Sequence, residues 1–175
     1  ATAEANFSAA VLREANMTKA DFSTSDLSDA DLSKSTLTGA VMVETVLTGA
    51  DFSDTSLTNA NFTSANLTGV SMKKAIMTGG QFLEADFTAA DLSNANLVNA
   101  VLTSVVCTGT NLSSAVLINA TVDAAVFTSA TLQSADLTGC DLSGTDLTEA
   151  DLSSADMTQA TLSDAVLSQA SMTTT

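Results

Sequence analysis

The sequence contains no Pro, Trp, Tyr or His, and its only aromatics are seven Phe residues. Each absence excludes something. Without His there is no Ser–His or Cys–His pair for nucleophilic catalysis, and no imidazole to ligate a metal. Cations are scarce: Lys and Arg number 5 against 20 Asp and Glu, for a net charge of -15. All five, Arg13, Lys19, Lys34, Lys73 and Lys74, lie in the first 74 residues. From Ala75 onward there are acids and no cation. Phosphate recognition depends on clustered cations, so direct nucleic-acid binding is not expected. There is no apolar run of about 18 residues, so no membrane-spanning helix is encoded. Cys is limited to Cys107 and Cys140.

What is present is a strict period. Marking Phe7 and stepping by five gives 34 consecutive positions, ending at Met172, with no insertion or deletion. Every marked residue is Leu, Phe or Met except Cys107 and Val122, and all seven Phe and all six Met fall here. Two residues before each marker stands Ala in most units, with mostly small exceptions such as Ser25, Thr45, Gly80 and Cys140. Asp or Asn often precedes the marker, as in Ala20-Asp21-Phe22 and Ala60-Asn61-Phe62. Ser or Thr follows it in 26 of the 34 units, and the fifth position is variable.

A period of five fits neither an α-helix nor a flat strand. Within a unit, however, the small and the large residue are two apart, and in extended backbone their side chains point the same way. The remaining residues must turn the chain, and Asp, Asn, Ser and Thr suit corners because their side chains bond nearby backbone. The pattern predicts a narrow coil with the large residue filling the interior. The structural core then includes Phe7, Phe22, Phe52, Phe62, Phe82, Phe87, Cys107 and Phe127. Local compensation is visible: Val105 is large for its site and Cys107 small for its own, and Gly80 accompanies the bulky Phe82.

The tandem motif resembles the A(D/N)LXX consensus of the pentapeptide-repeat family over the whole chain. The resemblance implies an all-β fold: a right-handed, quadrilateral parallel β-helix with four pentapeptides per coil, as one domain over residues 1–175. Thirty-four units then give about 8.5 coils, and at ~4.8 Å between stacked strands the rod is roughly 40 Å long. No capping helix is encoded at either end, so the open edges favour docking on a partner or end-to-end self-association.

Candidate chemistry is sparse. The acids recur at outward corners, where solvent keeps them ordinary, and no catalytic pair is expected. The densest cluster runs through Asp136, Asp141, Asp146, Glu149, Asp151, Asp156 and Asp164. Calcium prefers such oxygen ligands, yet nothing here has EF-hand-like spacing, so no cofactor or metal is expected. Cys107 and Cys140 sit about 1.75 coils apart, about 8 Å along the axis, which exceeds disulfide reach. Two buried reduced thiols are expected, and they leave the redox compartment open. Asn-X-Ser/Thr triplets at Asn6, Asn16, Asn61, Asn66, Asn111 and Asn119 arise from the repeat itself.

The informative departures are apolar residues at outward positions. With four units per coil, Ile76, Val98, Val116 and Ile118 stack on one face, and Leu83 and Val101 lie on the next, beyond Val41 and Val43. A contiguous apolar patch marks an interaction site. The expected function is therefore that of a non-enzymatic rod binding a protein partner, without membrane insertion. By resemblance, that partner is a photosynthetic membrane complex in the thylakoid lumen, or the rod is periplasmic. Either location implies a removed targeting peptide, which the first residue, Ala1, allows; otherwise the rod is cytoplasmic. The alternative implied by resemblance is a DNA-mimicking protein that binds DNA gyrase, of the quinolone-resistance type. The acidity fits it. The uninterrupted coils and the lack of a C-terminal helix depart from it.

Overall fold

A computed structural model describes residues 4–173. Along this whole span the backbone repeats one cycle: a bridging residue, the marker, two turn residues, and the small residue leading to the next bridge. Every bridge is parallel and joins residue n to residue n + 20, from Asn6↔Asp26 to Asp151↔Ser171. Four pentapeptides thus complete each coil with no slip. The fold is the right-handed, four-sided parallel β-helix expected, and no helix occurs among the described residues. Four columns of bridging residues define its sides. Face I runs from Asn6 to Val166, face II from Val11 to Ser171, face III from Asn16 to Asp156, and face IV from Asp21 to Thr161.

Backbone hydrogen bonding explains the composition. Buried N–H groups must be paired. In the unit around Phe87, the Asp86 amide donates to Ala65 O at 3.0 Å, Phe87 to Val106 O at 2.7 Å and Ala89 to Thr108 O at 3.0 Å. A fourth amide, Ala90, closes the turn onto Phe87 O at 2.9 Å. Only the Thr88 amide is left, and it donates to Asp86 Oδ1 at 2.8 Å. Every Asp and Asn at the bridging position, from Asn6 to Asp156, accepts this same bond. The Asp or Asn before the marker is therefore the cap on the one amide that the coil cannot satisfy.

The variable position carries a backbone demand that its variety conceals. Two residues past the marker, φ is positive in every turn from Ala9 to Gln169, glycine or not. L-residues enter this region at a cost, and β-branched ones most reluctantly. Among the described residues the column holds no Val or Ile, and Thr24, at φ 60°, is its sole β-branched member.

Markers and small residues line the interior as predicted, except near the C-terminal end, where the markers Leu162 and Met172 are exposed. Phe62 and Phe82 stack with centroids 5.2 Å apart, Phe52 meets Phe62 edge-on at 6.0 Å, and Phe87 lies 5.4 Å from Phe82. Such pairs add specific attraction to area burial. Phe22, Cys107 and Phe127 are buried as well. Phe7 corrects the expectation in part: it packs edge-on against Phe22 at 5.6 Å but is only partly buried, since no described coil lies outside it. The threonines at the small site are satisfied. Thr45, Thr55 and Thr110 donate through Oγ1 to the carbonyls of Phe22, Leu32 and Phe87 at 3.0, 3.0 and 2.7 Å.

Candidate docking surface

The n + 20 register decides which outward side chains meet. Face III presents Ile76, Asn96, Val116 and Asp136 in successive coils, and its turn column presents Thr78, Val98, Ile118 and Thr138. On face IV, Gln81, Val101, Thr121 and Asp141 stack, beside the turn column Leu83, Thr103 and Asp123. All six residues singled out from the sequence thus fall on two adjacent faces within three successive coils. They are not equally accessible. Ile76 and Leu83 are 47% and 39% exposed, while Val98, Val101, Val116 and Ile118 are half-buried against neighbouring coils. Val41 and Val43, lower on face IV, are half-buried too.

Each apolar bridging residue has a second effect. Where Ile76, Val101 or Val116 replaces Asp or Asn, the capping oxygen is gone. The amides of Thr78, Thr103 and Ile118 then make no hydrogen bond within the described residues. Val98 keeps its cap, from Asn96 Oδ1 at 3.1 Å. The same holds wherever the bridging residue is neither Asp nor Asn, as at the amides of Thr48, Thr108 and Thr128, so the uncapped donors are not particular to this surface.

Charge is distributed unequally around it. Arg13, Lys34, Lys73 and Lys74 all project from face II or its turn column, and Arg13 and Lys73 reach Asp31 and Asp91, each at 3.2 Å. Lys19 alone belongs to the face III turn column, in the first coil. Around the apolar set, the register places Asp136 next above Val116, Asp123 above Thr103, and Glu84 beside Leu83. Thr103 Oγ1 donates to Asp123 at 2.7 Å.

The acidic cluster is a belt rather than a site. Asp141, Asp146, Asp151 and Asp156 occupy the bridging position on faces IV, I, II and III of one coil. Their carboxylates point away on four sides and cannot share one ion. No group of three or more His, Cys, Asp or Glu among the described residues is placed to hold a metal. Hydrogen bonds from Ser143, Thr148, Ser153 and Thr158 hold these four carboxyls below the ordinary carboxylate value. Cys107 and Cys140 are free and buried, and burial pushes their thiols up to about 12 and about 11. Cys140 Sγ donates to Leu117 O at 2.8 Å.

Sequence reasoning passed over two features. One is a second apolar column, on face I, where Val46, Val106 and Val166 are 39%, 36% and 47% exposed. Half-buried Val126 bridges directly to Val106, and Asn66, Asp86 and Asp146 separate that pair from Val46 and Val166. The other is a groove of about 520 Å³ near the N-terminal end, lined by Glu4, Asn6, Thr24, Asp26, Glu44 and Val46 among others. Thr24 Oγ1 is buried there without a hydrogen-bond partner. The unusual Thr at a positive-φ position was the signal that could have found it.

The family profile described as pentapeptide repeats matches the chain in 8 copies, over residues 5–42, 25–63, 40–79, 81–117, 106–144 and 145–175. A comparison with curated proteins returns no match. Among solved structures, the chain is similar to HetL of the cyanobacterium Nostoc, a pentapeptide repeat protein involved in heterocyst differentiation regulation. That likeness has 27% identity and a TM-score of 0.41, and covers 96% of this chain and 87% of HetL. A pentapeptide repeat protein from the Arabidopsis thaliana thylakoid lumen is 30% identical at a TM-score of 0.47, over 55% of this chain and 63% of its own. Full-length QnrB1, a plasmid-mediated fluoroquinolone resistance protein, is 17% identical at a TM-score of 0.38, over 91% and 92%.

Proposed function

The chain belongs to the pentapeptide-repeat family, and from that premise we propose that it is a non-enzymatic interaction module: a stiff acidic rod that docks on a protein partner. Rods of this kind present surface rather than reactive groups, and stacked coils make an extended, fixed platform. One observation carries the reading. On a surface built mainly from Ser, Thr, Asp and Asn, six aliphatic residues collect on the adjacent faces III and IV within three successive coils, whereas the valines of face I form a single column. The side chains of this patch take no part in the coil's own hydrogen bonding, and a contiguous apolar surface marks an interaction site. The finer reading is an accessory subunit of a photosynthetic membrane assembly, in the thylakoid lumen or periplasm. A lumenal pentapeptide-repeat protein among the similar structures supports that direction.

The test is native co-purification of the parent and a Val98→Thr/Ile118→Thr variant. Thr is what the same column carries at Thr78 and Thr138, so the coil tolerates it. Loss of the partner from the variant alone supports docking through this surface; equal recovery overturns it. The charge of -15 favours a second reading, an acidic decoy for a DNA-binding enzyme such as gyrase. Against it stands the uninterrupted register of the coils. A supercoiling assay separates the two: inhibition at stoichiometric protein selects the decoy.

A further inference from the structure

We propose that the occupant of faces III and IV is a protein segment presenting aliphatic side chains flanked by Lys or Arg. The inference rests on the docking reading above and adds the partner's chemistry. Apolar side chains at the centre, Ile76, Val98, Val101 and Ile118, call for apolar side chains opposite. The rim is acidic on every side but that of Lys74: Glu84, Asp123 and Asp136 border the set, and no cation follows Lys74 in the sequence. The charges that would neutralise this rim within the rod sit elsewhere, because four of the five cations belong to face II and its turns. Lys74, two residues before Ile76, marks the single edge where the sign changes.

The alternatives fail on charge. A second copy would set a net charge of -15 against the same charge, with like signs around the contact. A nucleic acid or an anionic lipid surface would meet the same repulsion. A cationic segment instead gains by long-range attraction, which speeds its encounter and weakens with salt.

The probes are dye-labelled synthetic peptides of equal length, alternating Leu with Lys, Leu with Gln, or Ser with Lys. Each is titrated by fluorescence anisotropy into the full chain, into Val98→Thr/Ile118→Thr, and into a Val46→Ser/Val166→Ser control on face I. The Leu/Lys peptide should bind at least tenfold more tightly than either of the others. It should lose at least tenfold in affinity on the face III variant and nothing on the face I control. A Glu84→Gln/Asp123→Asn/Asp136→Asn variant should also weaken it, and Asn retains the cap that Asp136 gives Thr138. If the Leu/Gln peptide binds as tightly as Leu/Lys and is lost on Val98→Thr/Ile118→Thr, the cationic inference falls and the docking surface stands. If the Ser/Lys peptide matches Leu/Lys on every variant, the attraction is unspecific and the inference falls. If no peptide distinguishes the face III variant from the parent, the docking reading itself falls.

Discussion

A Cβ added at Gly80 would stand 2.6 Å from Cε2 of Phe82 and 3.0 Å from the carbonyl oxygen of Met77. The ring therefore occupies the space that Ala fills in other coils of the same column. Gly80→Ala should destabilise by about 1–3 kcal/mol through overpacking. The double variant Gly80→Ala/Phe82→Leu recreates the Ala100–Leu102 pairing found one coil further on. It should recover most of the loss, giving a coupling of about 1 kcal/mol or more in chemical denaturation. Additive losses would show that the two sites are independent.

Thr24 combines a β-branched side chain at φ 60° with a buried hydroxyl that has no partner. Asn tolerates left-handed backbone and stands at the equivalent turn position in Asn59, Asn94 and Asn99. Thr24→Asn should stabilise by about 1 kcal/mol and raise Tm by a few degrees. A lower Tm would mean that the hydroxyl is engaged.

The acidic belt predicts a pH response. In the folded chain, Asp141, Asp146, Asp151 and Asp156 have pKa values lowered from 3.8, chiefly by hydroxyl and amide donors two residues on. A carboxylate with a lower pKa folded than unfolded stabilises the fold above its unfolded value. That contribution fades as pH falls below 3.8 and through the lowered values. Relief of self-repulsion has already been gained by then, because the chain approaches neutrality near pH 4.1. Thermal melts should show Tm falling below pH 3.8. Replacing all four Asp by Asn keeps the capping oxygens, as at Asn61 and Asn111. This variant should show a smaller fall, and an equal fall would assign the acid response elsewhere.

Both thiols should be inert in the folded rod. Burial raises Cys107 to about 12 and Cys140 to about 11, so neither is appreciably ionised at pH 8. An aromatic disulfide reagent should titrate no fast thiol natively and both in denaturant. Rapid native reaction at Cys140 would show that the coil around it opens.

The interior was legible because two facts suffice for it: Leu, Phe or Met recurs every fifth place, and a small residue stands two before it. The faces followed, since the register is uniform and Val98 must lie under Ile118. The turns were less legible. Lys19, Glu44 and Ala89 share a positive φ that no one of them announces, because stacking on both sides imposes what the residue itself would refuse. The role of Asp86 was visible only as a preference until its oxygen was seen to serve the Thr88 amide. Accessibility was least legible. Ile76 and Val116 occupy the same column, but Ile76 is exposed and Val116 half-buried, which depends on the side chains stacked above and below.

The n + 20 bridging makes azimuth a matter of arithmetic. Excising one pentapeptide between the apolar set and the acidic belt would rotate everything beyond the cut by a quarter turn, bringing Asp141 onto the side where Asp136 now stands. Excising twenty residues would leave every heading unchanged and only draw the belt nearer by one storey. Length and orientation are thus separately adjustable in this chain, and duplication of whole coils lengthens the rod without turning what it displays.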